Sequence, residues 1–161
     1  MKPDRSVWEI MEFGAADTGE ACRLFDALEP VGPHELFGTW KGRELPSGHP
    51  LDGWLEKSGW YGKAFHSAEH VDPLLFHNPF GKPFPLHPFP PGLITNLLGS
   101  ARGAARLRQM EWRGKTSAVM VYDQLPIQDH FRKVNEDVLL GMMDCKGMKQ
   151  PYFFLLARVY D

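Results

Sequence analysis

The stretch Phe37-Gly38-Thr39-Trp40-Lys41-Gly42-Arg43-Glu44-Leu45 constrains this chain more than any other. Read as a strand, it points successive side chains to opposite faces. Gly38, Trp40 and Gly42 then share one face, while Thr39, Lys41 and Arg43 share the other. An indole flanked on its own face by two hydrogens calls for a neighbour pressed close to the backbone. A ring laid across the floor of a small barrel meets that requirement.

The rest of the chain is compatible with a barrel. Its 161 residues suit one domain with a real core, and 43% hydrophobic with 24% charged residues is an ordinary globular balance. A net charge of −2 with interspersed signs argues against nucleic acid as a partner. No apolar run is long enough for a membrane span, and Met1-Lys2-Pro3-Asp4-Arg5 does not read as a secretory leader. Cys22 and Cys145 lack metal or redox spacing, so they read as reduced thiols and the expected location is cytoplasmic. Aromatic residues make up 12%, which serves a core or a ligand pocket equally well.

Along the chain, Val7 to Phe13 reads as either a strand or a helical turn. Asp17 or Thr18 can cap a helix in which Ala21, Leu24, Phe25 and Leu28 form one apolar stripe. Pro30 and Gly32 end it. A short helix is expected over Leu51 to Ser58, then strands at Trp60 to His66 and Val71 to Phe76. The segment Pro79 to Gly92 cannot be a central strand or a helix interior, because proline lacks the donor and fixes φ. It carries Phe80, Phe84, Leu86 and Phe89, so a lid, an external strap and a partner-docking arm are all open readings. Ile94 to Gly99 reads as a helical turn. Five further strands follow: Arg106 to Arg113, Thr116 to Asp123, Gln128 to Val134, Val138 to Lys146 and Tyr152 to Val159. The last is apolar on both faces at Tyr152-Phe153-Phe154-Leu155-Leu156-Ala157. One face can line the barrel; the other needs a cover, for which the helix from Thr18 to Leu28 is placed. The organisation expected is a single domain over 1–161. It comprises a helical region (1–36), a first half (37–76), the Pro/Phe-rich loop (77–103) and C-terminal antiparallel strands (104–161).

Gly38-Thr39-Trp40-Lys41-Gly42 resembles the signature of the bacterial GXWXG family. That family's usual C-terminal companion, a domain of unknown function, is similar to four later stretches. These are Trp112-Arg113-Gly114-Lys115, Val121 to Arg132, Leu140-Gly141-Met142-Met143-Asp144 and Tyr152 to Arg158. The resemblance runs from about Thr18 to Tyr160 and implies a fold more than an activity. The motif is also similar to the opening strand of lipocalins and other calycins, barrels that hold small apolar ligands or haem. It implies a mostly β protein: an antiparallel calycin-like β-barrel of about eight strands with one or two short helices. In such barrels a late basic residue lies over the signature tryptophan, which makes Arg158 the expected partner of Trp40.

Four groups could carry chemistry. Tyr122-Asp123 and Asp129-His130-Phe131-Arg132 concentrate carboxylates, an imidazole and a guanidinium. A buried carboxylate beside arginine stays ionised and can accept a proton; a salt bridge and a turn cap are the plainer alternative. His66, His70, Asp72 and His77 offer donors at metal-like intervals, but without a complete motif, so no metal is assigned. A haem-carrying calycin would draw its ligand from His66, His70, His77, His87 or His130. Lys63, if it points inward between Tyr61 and Phe65, would have a depressed pKa. It could then form a Schiff base or hold a ligand carboxylate. Strand lysines more often face solvent. Met110, Met120, Met142 and Met143 suit core filling or an adaptable lining.

The leading expectation is an intracellular carrier for a small hydrophobic or aromatic molecule with a polar or acidic end. Trp40, Trp60, Tyr61, Phe65, Trp112, Met120 and Tyr122 would line its pocket. Lys63, His66 or Arg132 would meet the polar end. The alternative is an isomerase, lyase or hydrolase in the same pocket, without a cofactor. Asp123 or His130 would act as base, and Arg132 or Lys63 would steady an oxyanion. A haem carrier and an interaction module using the Pro/Phe arm are the remaining readings, and a homodimer is compatible with either.

Overall fold

The computed structural model describes residues 5–77, 80–85 and 104–161. Helix α1 (Val7–Phe13) starts where the Ser6 side chain accepts from the Glu9 N–H and the Glu9 carboxylate accepts from the Ser6 N–H. This settles the ambiguous N-terminal stretch as helix. Helix α2 (Thr18–Ala27) is capped by Asp17, as its sequence signals indicate. A 3₁₀ turn at Pro33–Leu36 leads into β1 (Gly38–Glu44). Then come α3 (Trp54–Lys57), β2 (Trp60–Phe65), β3 (Val71–His77) and β4 (Pro83–Pro85). The chain closes with β5 (Ala105–Trp112), β6 (Lys115–Tyr122), β7 (Ile127–Asn135), β8 (Val138–Cys145) and β9 (Tyr152–Arg158).

The strands run β2-β1-β9-β8-β7-β6-β5-β3, and β2 pairs back with β3, so eight antiparallel strands close a barrel. The seam is between β3 and β5, which share only the pair Val71 and Ala105. Beyond it β3 pairs instead with β4, where Phe76 and Phe84 are backbone partners. That short strand contains both Pro83 and Pro85, in keeping with the confinement of proline to sheet margins. The remainder of the Pro/Phe segment and Ile94 to Gly99 lie outside the described residues.

One expectation needs adjustment. The helix placed over Leu51 to Ser58 is only Trp54–Lys57. Gly53 takes a left-handed φ of 86°, and the Asp52 carboxylate accepts from the N–H groups of Ser47, Gly48 and His49, so the chain is held as a turn before it. Among the described residues there are three short α-helices, in keeping with a mostly β barrel. Among the described residues no helix is long and apolar enough to cross a membrane.

Alternation sorts the core into two layers. Inside the barrel lie Trp40, Trp60, Phe65, Met120, Phe131, Leu139, Phe154 and Leu156. Outside it, Phe153 and Leu155 of β9 and Leu140 and Met142 of β8 pack under α1 and α2, through Ile10, Met11, Leu24 and Phe25. The Phe25 and Phe153 rings meet edge-on at 6.5 Å. The two-faced apolar strand β9 is thereby covered on both sides, each buried large side chain contributing about 1.5–3 kcal/mol.

Trp40 is fully buried, and its indole N–H donates to the Leu36 carbonyl at 2.7 Å. Arg158, its register partner on β9, lies with its guanidinium carbon 4.2 Å from the indole centroid. Arg158 also donates to the carbonyls of Glu35 and Phe37. Of the two flanking glycines, Gly42 has the use that the motif implies. A Cβ at Gly42 would fall 2.2 Å from the Trp60 ring, and Gly62 on the paired strand passes so near that its Cβ would lie 1.9 Å from the Trp40 carbonyl oxygen.

Candidate functional site

The interior is not uniformly filled. Trp40, Phe65 and Phe131 pack one end, and toward the other end a cavity of about 310 Å³ remains. Its walls are Trp60, Leu74, Tyr122, Ile127, Met143 and Phe154 on the strands. Its roof is Leu51, Trp54 and Leu55 from the segment between β1 and β2. Glu44 secures that roof, accepting from the N–H groups of Gly53 and Leu55 and from the hydroxyl of Tyr152, which also faces the cavity. Trp54 is 61% exposed, so the roof is held by hydrogen bonds more than by packing.

Two charged side chains enter this apolar space. Lys63 is 2% exposed and Asp129 1%, and the Lys63 Nζ lies 3.0 Å from the Asp129 Oδ2. Nζ also donates to the Pro73 carbonyl at 3.0 Å. Around it stand three rings of the cavity wall, with centroids at 5.0 Å (Phe154), 5.6 Å (Trp60) and 5.9 Å (Tyr122). The other oxygen, Asp129 Oδ1, is buried without a hydrogen-bond partner. Burial lowers the lysine pKa and raises that of the aspartate; each charge partly restores the ionised form of the other. Burial, then the Asp129 charge, push the Tyr122 phenol well above its ordinary range, so it remains protonated.

The regular register puts Lys63 inside, since it is the Cα partner of Trp40 on β1 and shares a face of β2 with the buried Phe65, and an irregularity brings Trp60 in beside it. The β2–β3 pairing shifts on both sides of Gly62. That bulge lets Trp60 and Lys63 both point inward, although an unbroken period of two would separate them. Tyr61, the expected companion of Lys63, packs instead on the His77 ring at 5.0 Å. On β7 the alternation is regular. Asp129 and Phe131 face in, and His130 and Arg132 face out, His130 onto the Trp112 ring and Arg132 onto Phe25 of α2.

The sequence-selected residues therefore separate. Trp60, Lys63 and Tyr122 line the cavity. Trp40, Phe65 and Met120 belong to the interior packing below it. His66 is exposed and bonded to Asp72 at 2.9 Å. Asp123 is exposed and paired with Arg106 at 2.8 Å. Trp112, His130 and Arg132 form one group on the outer face. The Trp112 and His130 rings stack at 4.5 Å, and Arg132 donates to the Trp112 carbonyl while lying over the Phe25 ring at 4.3 Å. Sequence reasoning passed over Asp129 as the inward carboxylate, and Phe154, Met143 and the Leu51–Leu55 roof as walls. The inward parity of Asp129 was signalled by Phe131, two residues on.

His66, His70 and Asp72 bring one donor atom each within 4.8 Å of one another at the β2–β3 turn, which makes them the described residues best arranged for a metal ion. Of the histidines eligible for haem, His66, His70, His77 and His130 are not among the residues lining the cavity, and His87 lies outside the described residues.

The outer group has a pH consequence. Burial, and then the Arg132 charge, lower the His130 pKa to about 4. An unfolded chain takes that proton near pH 6.5. Stability is therefore expected to fall as pH drops from about 6.5 to 4, by about 2–3 kcal/mol through this group. Urea unfolding at pH 7 and pH 4.5 checks this; His130→Phe, which keeps a ring against Trp112, should show a smaller loss.

Comparison with known proteins agrees with the fold. Residues 23–81 match the family described as GXWXG protein, and residues 103–158 match a domain of unknown function, DUF4334. Among solved structures the chain is similar to a protein from Thermomonospora curvata, with 37% identity, 95% of each chain covered and a TM-score of 0.79. No curated protein matches it. The chain belongs to the GXWXG family, with the DUF4334 domain forming its last five strands.

Proposed function

We propose that the protein binds a small, mostly apolar molecule with one polar end in the barrel cavity, the polar end meeting Lys63 and Asp129. The observation that carries this reading is a single buried ion pair set in an otherwise apolar hollow of about 310 Å³. Ligand sites share that character, and this volume is at the lower limit of their common range, about 300–1,000 Å³. The polar end that fits is neutral. The pair has no net charge, and a ligand carboxylate would lie against the unpartnered Asp129 Oδ1. A carbonyl can accept from Lys63, and a hydroxyl can donate to Asp129.

Calorimetric titration with nonan-1-ol tests this. The expected Kd is roughly 10–100 μM for a chain of this size. Met143→Trp places an indole in the hollow and should weaken binding at least about tenfold. Heat of binding unchanged by that substitution would place the alcohol elsewhere.

A second reading, acid–base catalysis in the same cavity, draws on the same Asp129 Oδ1, a carboxylate oxygen with a raised pKa and no partner. The base would then be Asp129 and not Asp123 or His130, which lie outside the barrel. Asp129→Asn separates the readings: a carrier keeps most of its affinity, whereas an enzyme loses turnover by orders of magnitude.

A further inference from the structure

We infer that Lys63 is an amine nucleophile that condenses with an apolar aldehyde to form a protonated imine, with Asp129 as its counter-ion. This deepens the proposed function and rests on its reading of the cavity. It selects the carbonyl compounds among the neutral ligands the pair could meet.

Three features of the site carry the argument. Position is the first: Nζ is at the cavity wall among three rings that also line it, so a carbonyl carbon at the inner end of a bound chain comes next to the nitrogen. The second is a proton acceptor at 3.0 Å, Asp129 Oδ2. Attack requires the lysine lone pair, hence removal of one ammonium proton, and the low-dielectric surroundings favour passing it to the neighbouring carboxylate. The third is the fate of the charge. An iminium is a cation in the same place as the ammonium it replaces, so the rings and the carboxylate stabilise product as they stabilised reactant.

The step balances without a further reagent. Asp129 takes one proton from the Lys63 ammonium. The Nζ lone pair then forms the N–C bond while the C=O π pair moves to oxygen. That oxygen receives the proton from Asp129. A second proton passes from nitrogen through the same carboxylate, the C–O bond breaks, and water leaves. Ammonium plus aldehyde has become iminium plus water, and Asp129 ends as it began. The apolar walls hold little water, which opposes the reverse reaction. Loss of the Pro73 contact is the local cost, because the imine has one N–H where the ammonium had three.

Sodium cyanoborohydride reduces an iminium to a stable secondary amine, so incubation of the intact protein with nonanal and this reagent, followed by peptide mass analysis, reads the adduct directly. The expected result is modification of Lys63 at least about tenfold faster than of the exposed Lys41 and Lys149, because a carbonyl held beside the amine reacts as an intramolecular partner. Nonan-1-ol, which has the chain but no carbonyl, should suppress that modification. If nonan-1-ol binds by calorimetry while nonanal marks only surface lysines, the imine is overturned and the binding site stands. If nonan-1-ol does not bind and Lys63 is unmodified, both fall.

Discussion

Lys63→Met alone is expected to destabilise the protein by about 3–5 kcal/mol, the range for removing one partner of a buried ion pair. The substitution keeps the volume of the side chain but leaves Asp129 in an apolar cavity with neither oxygen satisfied. Its carboxyl, already raised by burial with Lys63 present, then loses the charge that held it down. A carboxyl whose folded pKa exceeds its unfolded value of about 3.9 costs stability as pH rises above that value. The deficit of the single variant should therefore be smallest near pH 4 and grow toward neutrality, opposite in sign to the His130 effect. Combining Lys63→Met with Asp129→Leu should recover most of the loss, since apolar replacement of a whole buried pair is often neutral or stabilising. Urea titrations of the four proteins measure the coupling directly. Near-additive losses would show that the two groups do not depend on each other. Full recovery in the double variant, with loss of nonan-1-ol binding, would mean that the pair is there for the ligand and not for the fold.

The second large effect is at Trp40. Trp40→Ala should cost about 3–5 kcal/mol, since it removes the largest fully buried side chain of the barrel and leaves a void beneath Arg158 that the closed sheet cannot collapse. Trp40→Phe separates the contributions. It keeps a ring under Arg158 but leaves the Leu36 carbonyl without its donor, for an expected loss of about 1–3 kcal/mol. Because Trp40 lies below the cavity and does not line it, Trp40→Phe should leave nonan-1-ol affinity within about twofold while lowering Tm. A large affinity loss at unchanged stability would mean that the ligand goes deeper than the Lys63–Asp129 pair.

The barrel was legible in the residues because its constraints are local. Trp40 between two glycines, and β9 with apolar residues at successive positions, each admit few surroundings. One needs a backbone pressed against it and the other a cover on both faces. The pairing of Arg158 with Trp40 was equally accessible, through the resemblance to other barrels. The site was less so, because it depends on parity across a bulge. Counting by twos from Tyr61 groups Lys63 with the wrong neighbour, and only the backbone at Gly62 shows that Trp60 and Lys63 turn in together. Asp123 and Asp129 look alike as acidic residues near an arginine. What separates them is position: Asp129 shares a face of β7 with the inward Phe131, whereas Asp123 lies just past the end of β6 and pairs with Arg106. The roof is harder still, since Leu51, Trp54 and Leu55 read as a helix stripe, and the turn that sets them over the cavity is made by Asp52, Gly53 and the distant Glu44.

The most direct test of the central claim is a crystal structure determined with nonan-1-ol at saturating concentration. The account predicts the alkyl chain among Trp60, Met143 and Phe154, with its hydroxyl at hydrogen-bond distance, about 2.7–3.2 Å, from Lys63 Nζ or Asp129 Oδ1. An alcohol seated on the outer face of the barrel, or a hollow still empty at saturation, would contradict it.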